Sequence, residues 1–446
     1  MDIKTPTLYL AVENRTRELD AKLLLAGAIA NRGVTVVIGQ QWLLNTNMFR
    51  MPGGVFFFKG MNRVQVQSMT SARKAGHYVV ANDEEAVGTS DDAFMLRDVS
   101  ADIQNVCDLI LCQGERQKRA LFGKLPQLAD RMSVVGNPRF DLVRPEFARL
   151  YRADMDDIRR RHGRFILVNT NLGGINSAWA SLERYFRVLI NIGWIDPKNP
   201  EDMKLYGEHI DFDRLNLAET RRLLPLLRRT FNDRSVVLRP HPAENIPAWE
   251  AAYKDVPGIK IIQEGGHMPW ILASDLLIHT GCTTGLEAQI AGHPVISIRP
   301  GTSRWRDFYI SNKVNLTADS GREAAAMAEN FLRRDPDMFC RAASELMGRV
   351  AEHFDGISGR FAFQKMADTL IELFKGHPRL GKYAWRPAGN FVRHIEREDY
   401  LQRKMSITLA ELKDRIELFQ QIVGGFDGIE TEEVADSVFV MRRQAA

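Results

Sequence analysis

The feature that most constrains the fold is a repeated alternation of short apolar runs with longer, helix-like segments. Short apolar runs indicate buried strands, and strands that alternate with helices indicate parallel βαβ units. A first series consists of TLYLAVE, VTVVIG, VFFFKG, HYVVAND, DLILCQG and MSVVGNP. A second series consists of RFILVNTN, SVVLRPHP, IKIIQEG, DLLIHTG and HPVISIRP. Each series predicts one doubly wound parallel sheet, so the chain belongs to the α/β class.

The two series are separated by residues 145–163, which are rich in Arg and Asp and have no strand character. We therefore predict an N-terminal Rossmann-like domain over residues 1–150 and a C-terminal Rossmann-like domain over residues 163–375. A mostly helical, charged insert is expected between residues 172 and 233. Two such domains that face each other leave a cleft at the carboxyl ends of both sheets, where ligands bind as a rule.

Residues 376–446 are predicted to form a helical C-terminal extension. An apolar stripe at helical spacing lies between a capping box and a Gly-Gly stop, and it consists of Leu409, Leu412, Ile416, Phe419 and Val423. The stripe fits either a helix docked on its own domain or a short coiled coil in a homodimer. Docking is the favoured interpretation, because only about two heptads are present.

Composition excludes several classes of protein. The chain of 446 residues is 45% hydrophobic and 26% charged, which is typical of a soluble globular protein. No run reaches about 18 consecutive apolar residues, and the first residues lack the apolar centre of a signal peptide. We therefore expect a cytoplasmic protein, with peripheral contact at the inner membrane left open.

Metal and nucleic acid are not expected as ligands. The 4 cysteines form no C-x-x-C pair, and the histidines have no zinc spacing. The net charge of +4 is too small to indicate nucleic-acid binding. Local arginine clusters fit solvated helix faces better than a surface that attracts an anionic membrane or an acidic acceptor, although both interpretations remain open.

The most informative motif runs from Asp275 to Ile298. A strand leads into a loop of small and hydroxyl residues, and a helix follows directly. Small residues let the backbone approach an anion, and the helix N-terminus supplies N–H groups and a positive dipole end. The loop is thus a predicted phosphate cradle in which Thr283 and Thr284 add hydroxyls and Glu287 could reach a ribose diol. A generic strand–turn–helix capped by Thr284 is the alternative.

A second motif, SVVLRPHP, ends in Arg239, His241 and Pro242. The arginine could bind phosphate as a bidentate fork, and the histidine could donate to a phosphate or protonate a leaving group. A histidine that only supports the turn is the alternative. The predicted donor nucleotide-binding residues are Asn169, Asn171, Arg239, His241, Pro242, His279, Thr280, Gly281, Thr283, Thr284 and Glu287.

Acids at the ends of two N-terminal strands are the candidate bases. HYVVANDEEA ends in Asp83, Glu84 and Glu85, and like charges held together raise at least one pKa, as a general base requires. The first strand leads into Glu13, which is a reserve catalytic residue. The alternative interpretations are a solvated acidic turn and an acidic first helical turn. The predicted acceptor-binding residues are Asn14, Arg15 and Arg17.

With these motifs in hand, the chain resembles bacterial surface carbohydrate biosynthesis proteins, a GT-B family similar to capsule Kdo transferases, polysialyltransferases and teichoic-acid glycerophosphotransferases. The resemblance covers roughly residues 5 to 375 and is carried by the segment that begins YLAVENRTRELDAK, by NDEEA, VVGNPRFD and LRPHP, and by HTGCTTGLEAQIAGHPVI.

The resemblance implies that His241 and Pro242 contact the donor phosphate and that Thr283 and Thr284 form the hydroxyl motif beside it. It implies that Glu84 and Glu85 correspond to an acidic motif that supplies a base, although Ala86 stands where that motif often has Gly. A CMP-linked ulosonic acid such as Kdo is the implied donor, and a surface polysaccharide or lipid-linked glycan is the implied acceptor. No cofactor or metal is expected.

Two rivals stay open. A non-hydrolysing UDP-sugar 2-epimerase has the same double sheet, but NTNLGGINS stands where a His-Arg-Arg-Glu-Asn-like loop is usual. A non-catalytic nucleotide- or glycan-binding subunit of a polysaccharide assembly complex would keep the core pattern without needing the acids at the strand ends. The sugar, the acceptor and the stereochemical outcome are not encoded in the motifs.

Overall fold

The chain folds into two compact units in a computed structural model that describes residues 5–84, 86–178, 181–191, 193–377, 380, 385–396 and 404–444. Unit 1 consists of Met1–Ala86, Asp98–Phe147 and Ala351–Ala446. Unit 2 consists of Val87–Arg97 and Ala148–Val350.

Strands and helices alternate through most of the chain. The strands are β1 (Thr7–Val12), β2 (Thr35–Gln40), β3 (Val55–Phe58), β4 (Tyr78–Asn82), β5 (Leu109–Cys112), β6 (Met132–Val134), β7 (Phe165–Asn169), β8 (Ser235–Arg239), β9 (Ile259–Ile261), β10 (Leu276–His279), β11 (Val295–Ile298), β12 (Leu316–Ala318), β13 (Ile429–Ala435) and β14 (Val438–Arg443). Every strand that the sequence predicts is present, whereas β12, β13 and β14 were not predicted.

The helices complete the layers on the sheets. They are α1 (Asp20–Ala30), α2 (Gln41–Asn47), α3 (Arg63–Lys74), α4 (Asp92–Met95), α5 (Glu115–Lys124), α6 (Pro138–Asp141), α7 (Arg152–His162), α8 (Leu182–Asn191), α9 (Pro200–Thr230), α10 (Ile246–Tyr253), α11 (His267–Ala273), α12 (Thr283–Ile290), α13 (Ile310–Val314), α14 (Gly321–Arg333), α15 (Met338–Ala351), α16 (Ala362–Gly376) and α17 (Leu409–Val423). The helical insert predicted between residues 172 and 233 corresponds to α8 and α9.

The sheet of unit 1 has the order β13-β14-β2-β1-β3-β4-β5-β6. The strands from β2 to β6 pair in parallel, and every residue of β1 and β2 is buried. Burial along the whole strand means that both sheet faces are covered, as in doubly wound folds. The strand order reverses between β1 and β3, so the connections from these strands leave in opposite directions.

Unit 2 has a sheet of the order β12-β11-β10-β7-β8-β9, in which all pairs are parallel. Its core joins the apolar faces of β7, β8 and β10 to the inner side of α9 and α14. Counted from β7, this is the strand order 3-2-1-4-5-6 of dinucleotide-binding folds, and the order reverses between β7 and β10. Two doubly wound sheets are therefore confirmed.

The C-terminal tail is helical only in part. Helix α17 has the predicted capping box between Thr408 and Glu411, and its side chains Leu412, Ile416 and Phe419 are buried in unit 1. The stripe is therefore docked on its own domain. Beyond the helix, the hairpin β13–β14 joins the sheet of unit 1, because β14 pairs antiparallel with β2. The hairpin was missed because the charges of IETEEVA hide the strand alternation.

The division between the units also differs from the predicted domains. Residues 351–375 were assigned to the second domain but belong to unit 1. The buried carboxylate of Asp141 accepts hydrogen bonds from the amides of Ala362 and Phe363, both 2.8 Å long, at the start of α16. Conversely, Val87–Arg97 belongs to unit 2, where the amide of Ser90 donates to the carbonyl of Phe308.

We expect that Gly39→Ala destabilises unit 1 through the hairpin. An added Cβ at Gly39 would lie 2.3 Å from the carbonyl oxygen of Ser437 and 2.6 Å from Cα of Val438. Such a clash with backbone typically costs about 1–3 kcal/mol. Urea unfolding followed by fluorescence should show a lower free energy of unfolding for this variant.

The matched control is Gly123→Ala in α5, where an added Cβ meets nothing within 4 Å. Because alanine favours helix more than glycine does, this variant should be neutral or gain about 0.5–1 kcal/mol. Equal stability of the two variants would contradict the pairing of β14 on β2.

Candidate functional site

Five of the predicted donor-binding residues of unit 2 lie where its strand order reverses. The loops after β7 and β10 both start at this edge of the sheet, which is the usual ligand site of an open α/β sheet. Asn169 Nδ2 donates to Thr284 Oγ1 at 3.0 Å, and the amide of Asn171 donates to Thr280 Oγ1 at 3.3 Å. Asn171 Nδ2 also donates to the carbonyl of Gly281 at 3.3 Å. The structure thus brings together five residues that were predicted from separate motifs.

An acceptor atom remains unpaired in this cluster. Asn169 is 3% exposed, and its Oδ1 has no hydrogen-bond partner within the part of the chain that the structure describes. A buried polar atom without a partner is uncommon and costs free energy. A ligand hydroxyl or amine that donates to Asn169 would satisfy it.

Helix α12 begins at the same place. Gly281 has φ +67°, and a Cβ at this position would lie 2.6 Å from Cδ2 of Tyr309, so the turn requires glycine. At the N-cap residue Cys282, no side-chain capping bond is present among the described residues. Thr283 and Thr284 are partly exposed at this uncapped end. The end therefore combines hydroxyls with the positive pole of a helix.

His241 and Pro242 follow β8 and are exposed. The amide of Ala243 donates to Nδ1 of His241 at 3.1 Å, so this nitrogen is the unprotonated one. The geometry assigns the proton of the neutral ring to Nε2. His241 can therefore donate from Nε2 to an anionic oxygen.

Arg239 is engaged differently from the prediction. Its Nη1 donates to the carbonyl of Glu264 at 2.6 Å, and its Nη2 donates to the carbonyl of Gly265 at 2.7 Å. Burial lowers the pKa of Arg239, against the opposing charge of Glu264. Both arms of the guanidinium hold the loop before α11, so a bidentate phosphate contact would require these bonds to break.

Two of the predicted donor-binding residues, His279 and Glu287, are buried and support the site from below. His279 is 0% exposed, Nε2 lies 2.8 Å from Asn315 Oδ1, and Nδ1 accepts from the amide of Cys282 at 3.2 Å. Burial lowers the pKa of His279 to about 4, so the ring is neutral. It lies beneath the start of α12, since its Nδ1 accepts from the amide of the N-cap residue Cys282. Glu287 is also buried, and its Oε2 lies 2.7 Å from Nε2 of His267 rather than at a surface that a ribose could reach.

The candidate base of unit 1 lies where β1 and β3 diverge. Glu13 follows β1 and Lys59 follows β3, and Lys59 Nζ lies 2.6 Å from Glu13 Oε2. Glu18 is buried and accepts from Lys59 and from Lys22, each at 3.0 Å. Lys22 Nζ also lies 3.3 Å from Glu84 Oε1. These five residues form a continuous network of alternating charge, which we call the ion cluster.

The charges of the ion cluster shift its carboxyl groups in opposite directions. Burial raises the pKa of Glu84, and the negative charge of Glu18 adds to this rise against the opposing effect of Lys22. Burial by itself would raise the pKa of Glu18, but the charges of Lys22 and Lys59 outweigh this effect and lower the pKa to about 2. For Glu13, burial is outweighed by its hydrogen bond with Lys59, so the pKa is lowered. The raised pKa that was predicted for Glu84 thus arises mainly from burial, and Glu85 lies outside the described residues.

One of the three predicted acceptor residues, Arg17, lines a small cavity. Asn14 Oδ1 accepts from the amide of Thr16 at 3.1 Å and so caps a helical turn. Arg15 donates to the carbonyl of Ser406 and to Glu411 Oε1, both at 2.8 Å, and so holds the start of α17. Arg17 lines a small cavity of about 20 Å³, room for about one water molecule. Its lining includes Glu18, Lys22, Lys59, Asn82, Glu84, Asn137 and Arg139.

Sequence reasoning missed Lys22 and Lys59 in unit 1 and Glu244 and His267 in unit 2. A signal existed for Lys59, which directly follows the run VFFF at a strand end, and for Glu244, which follows His241 by three residues. Among the described residues, no group of three or more His, Cys, Asp or Glu could hold a metal ion. Nor is any helix in the described ranges long and apolar enough to cross a membrane.

No protein-family model matches this chain, and no curated protein matches its sequence. Solved structures do match its fold. A protein assigned as a UDP-N-acetylglucosamine 2-epimerase of Listeria monocytogenes has a TM-score of 0.51 and 12% identity, and the match covers 84% of this chain and 98% of that chain.

Two further structures match at lower TM-scores. The UDP-GlcNAc 2-epimerase from Neisseria meningitidis bound to UDP-GlcNAc has a TM-score of 0.49 and 12% identity, with 82% of this chain and 99% of that chain covered. The wall teichoic acid polymerase TagF has a TM-score of 0.44 and 11% identity, with 84% and 90% covered. At such identities the likeness concerns the fold alone, and this chain has the GT-B fold that its sequence predicts.

Proposed function

We propose that this protein is a nucleotide-sugar-dependent glycosyltransferase that transfers a sugar to a hydroxyl of a surface polysaccharide or a lipid-linked glycan. The observation that carries the proposal is the meeting of the loops after β7 and β10 at the strand-order reversal of unit 2. There, Asn169 and Asn171 bond to Thr284, Thr280 and Gly281 beside an uncapped helix start. Amide, hydroxyl and helix-terminus groups of this kind recognise phosphate oxygens.

The donor phosphate is proposed to lie against Thr283, Thr284 and Nε2 of His241. In transfer, the bond between the anomeric carbon and the donor phosphate breaks, and the departing phosphate gains negative charge. Hydrogen-bond donors that are already oriented stabilise such charge without reorganisation at the moment of reaction. Because Nδ1 of His241 accepts from the amide of Ala243, Nε2 is the ring nitrogen that is proposed to donate to the phosphate.

The base is proposed to be Glu84 of unit 1. As the acceptor oxygen bonds to the anomeric carbon, its proton must pass to a base, and a carboxylate with a raised pKa is suited to accept it. Burial and Glu18 raise the pKa of Glu84, whereas Glu13 is held ionised by Lys59. Glu13 is therefore the reserve candidate.

The donor that fits the family resemblance best is a CMP-linked ulosonic acid such as Kdo, used without a metal. The reaction would take place at the cytoplasmic side of the inner membrane, with the protein in peripheral contact and as a monomer or homodimer.

We expect that His241→Ala, and Thr283→Ala together with Thr284→Ala, weaken donor use far more than folding. Each change removes donors aimed at the departing phosphate and should lower kcat/KM by about 100-fold or more. Thr302→Ala is the control, since Thr302 is exposed in unit 2 and lies outside both motifs. Near-normal turnover by a folded His241→Ala protein would contradict the phosphate assignment.

Glu84→Gln should abolish transfer and leave nucleotide binding intact, since a positioned base typically contributes about 100- to 10,000-fold. Glu115→Gln, on the exposed start of α5, is the matched control. The wild-type rate should rise with pH through the raised pKa of Glu84, above its ordinary value of 4.5, because only the ionised form accepts a proton. If Glu84→Gln transfers at the wild-type rate, Glu13 becomes the residue to change.

Calorimetry with CMP, UDP and GDP should show binding of a nucleotide that is unaffected by EDTA. Loss of binding with EDTA and its return with magnesium would overturn the metal-free assignment. Preference for UDP, with conversion of a UDP-sugar in the absence of any acceptor, would favour a 2-epimerase instead. Binding without turnover of any donor would favour a non-catalytic subunit.

A further inference from the structure

Glu244 connects the loops after β7 and β8 through a single carboxylate. It is 1% exposed and lies three residues after His241. Its Oε1 accepts from Thr170 Oγ1 at 2.8 Å, from the amide of Leu172 at 3.0 Å and from the amide of His241 at 3.1 Å. One oxygen atom therefore holds two donors from the loop after β7 and one from the loop after β8.

The second oxygen is also occupied. Trp249 Nε1, on the buried side of α10, donates to Glu244 Oε2 at 2.9 Å, and Asn176 Nδ2 donates to the same oxygen at 3.5 Å. Main-chain hydrogen bonds join the same two loops. The amide of Ala178 donates to the carbonyl of Ala243, and the amide of Asn245 donates to the carbonyl of Asn176. A buried carboxylate that is satisfied in this way is energetically tolerable, and its bonds are stronger than those between neutral groups.

We propose that Glu244 is a positioning residue that locks the two loops into one phosphate-binding shape. This inference rests on the proposed donor site and goes beyond it by naming the group that orients His241. Because the amide of His241 points to Glu244 and the amide of Ala243 points to His241 Nδ1, the backbone and the ring are fixed together. Release of the carboxylate would free the rotation that aims Nε2.

The geometry also predicts that a second substitution, Trp249→Phe, restores the order of the loops in one Glu244 variant and not in another. In Glu244→Gln, the amide oxygen can replace Oε1 and keep its three donors, but the amide nitrogen then faces the N–H of Trp249. Adding Trp249→Phe removes that N–H, which makes the shorter of the two contacts to this oxygen, and leaves Asn176 Nδ2 at 3.5 Å. In Glu244→Ala no acceptor remains, so Trp249→Phe has nothing to restore.

Hydrogen–deuterium exchange on the full chain tests whether Glu244 holds the two loops in one shape. Exchange in peptides that cover residues 170–176 and 239–245 should be about 10- to 100-fold faster in Glu244→Gln and in Glu244→Ala than in the wild type, as expected for loss of a charged hydrogen bond. Glu244→Gln with Trp249→Phe should return towards wild-type exchange, and Glu244→Ala with Trp249→Phe should not. Trp249→Phe alone is the control for lost packing.

A second readout separates positioning from a purely structural role. Calorimetry with CMP and cytidine, and with UDP and uridine, measures how much the phosphate adds to binding. Glu244→Ala should lose about 10-fold or more of the nucleotide affinity and keep the nucleoside affinity. Equal losses for both ligands, or wild-type exchange in Glu244→Gln, would overturn the proposal. If the wild type binds neither nucleotide, the proposed function fails, and exchange alone decides whether Glu244 locks the loops.

Discussion

The reversal of strand order in each sheet is the constraint on which the rest of the molecule depends. At a reversal, the two neighbouring loops leave in opposite directions, and a crevice opens that no connection covers. In unit 1 this crevice lies between β1 and β3, where Glu13 meets Lys59. In unit 2 it lies between β7 and β10, where Asn169 meets Thr284. Topology alone thus determines which of the many polar residues come together.

The two crevices differ in chemical character. The crevice of unit 1 is ionic and largely buried. Glu18 contacts two lysines, of which one also contacts Glu13 and the other also contacts Glu84. Removing one member of a buried ion pair typically costs about 3–5 kcal/mol, because the remaining charge is left without a partner. That of unit 2 is built mainly from neutral amides and hydroxyls. In the proposed function, the first would exchange protons and the second would receive an anion.

Sequence patterns predicted the strands well and side-chain direction poorly. Strands buried on both faces leave continuous apolar runs, so both parallel sheets could be predicted. The hairpin β13–β14 lies at a sheet edge, where Glu430 and Glu432 are exposed and interrupt the pattern. His279 was placed in the correct motif, but whether a side chain at a strand end points to ligand or to core depends on the neighbouring helix. Glu244 was missed because its burial arises from two loops that are distant in sequence.

The use of three chain segments in unit 1 has a consequence for biosynthesis. Unit 2 is essentially continuous from residue 148 to residue 350, whereas β2 receives its neighbour β14 only from residues 438–443. At about 5–20 residues per second, the edge of β2 stays uncovered for roughly 20 to 80 s on the ribosome. An uncovered strand edge can pair with another chain. The period during which this edge is open to mispairing is therefore at least as long as the translation of the residues between β2 and β14.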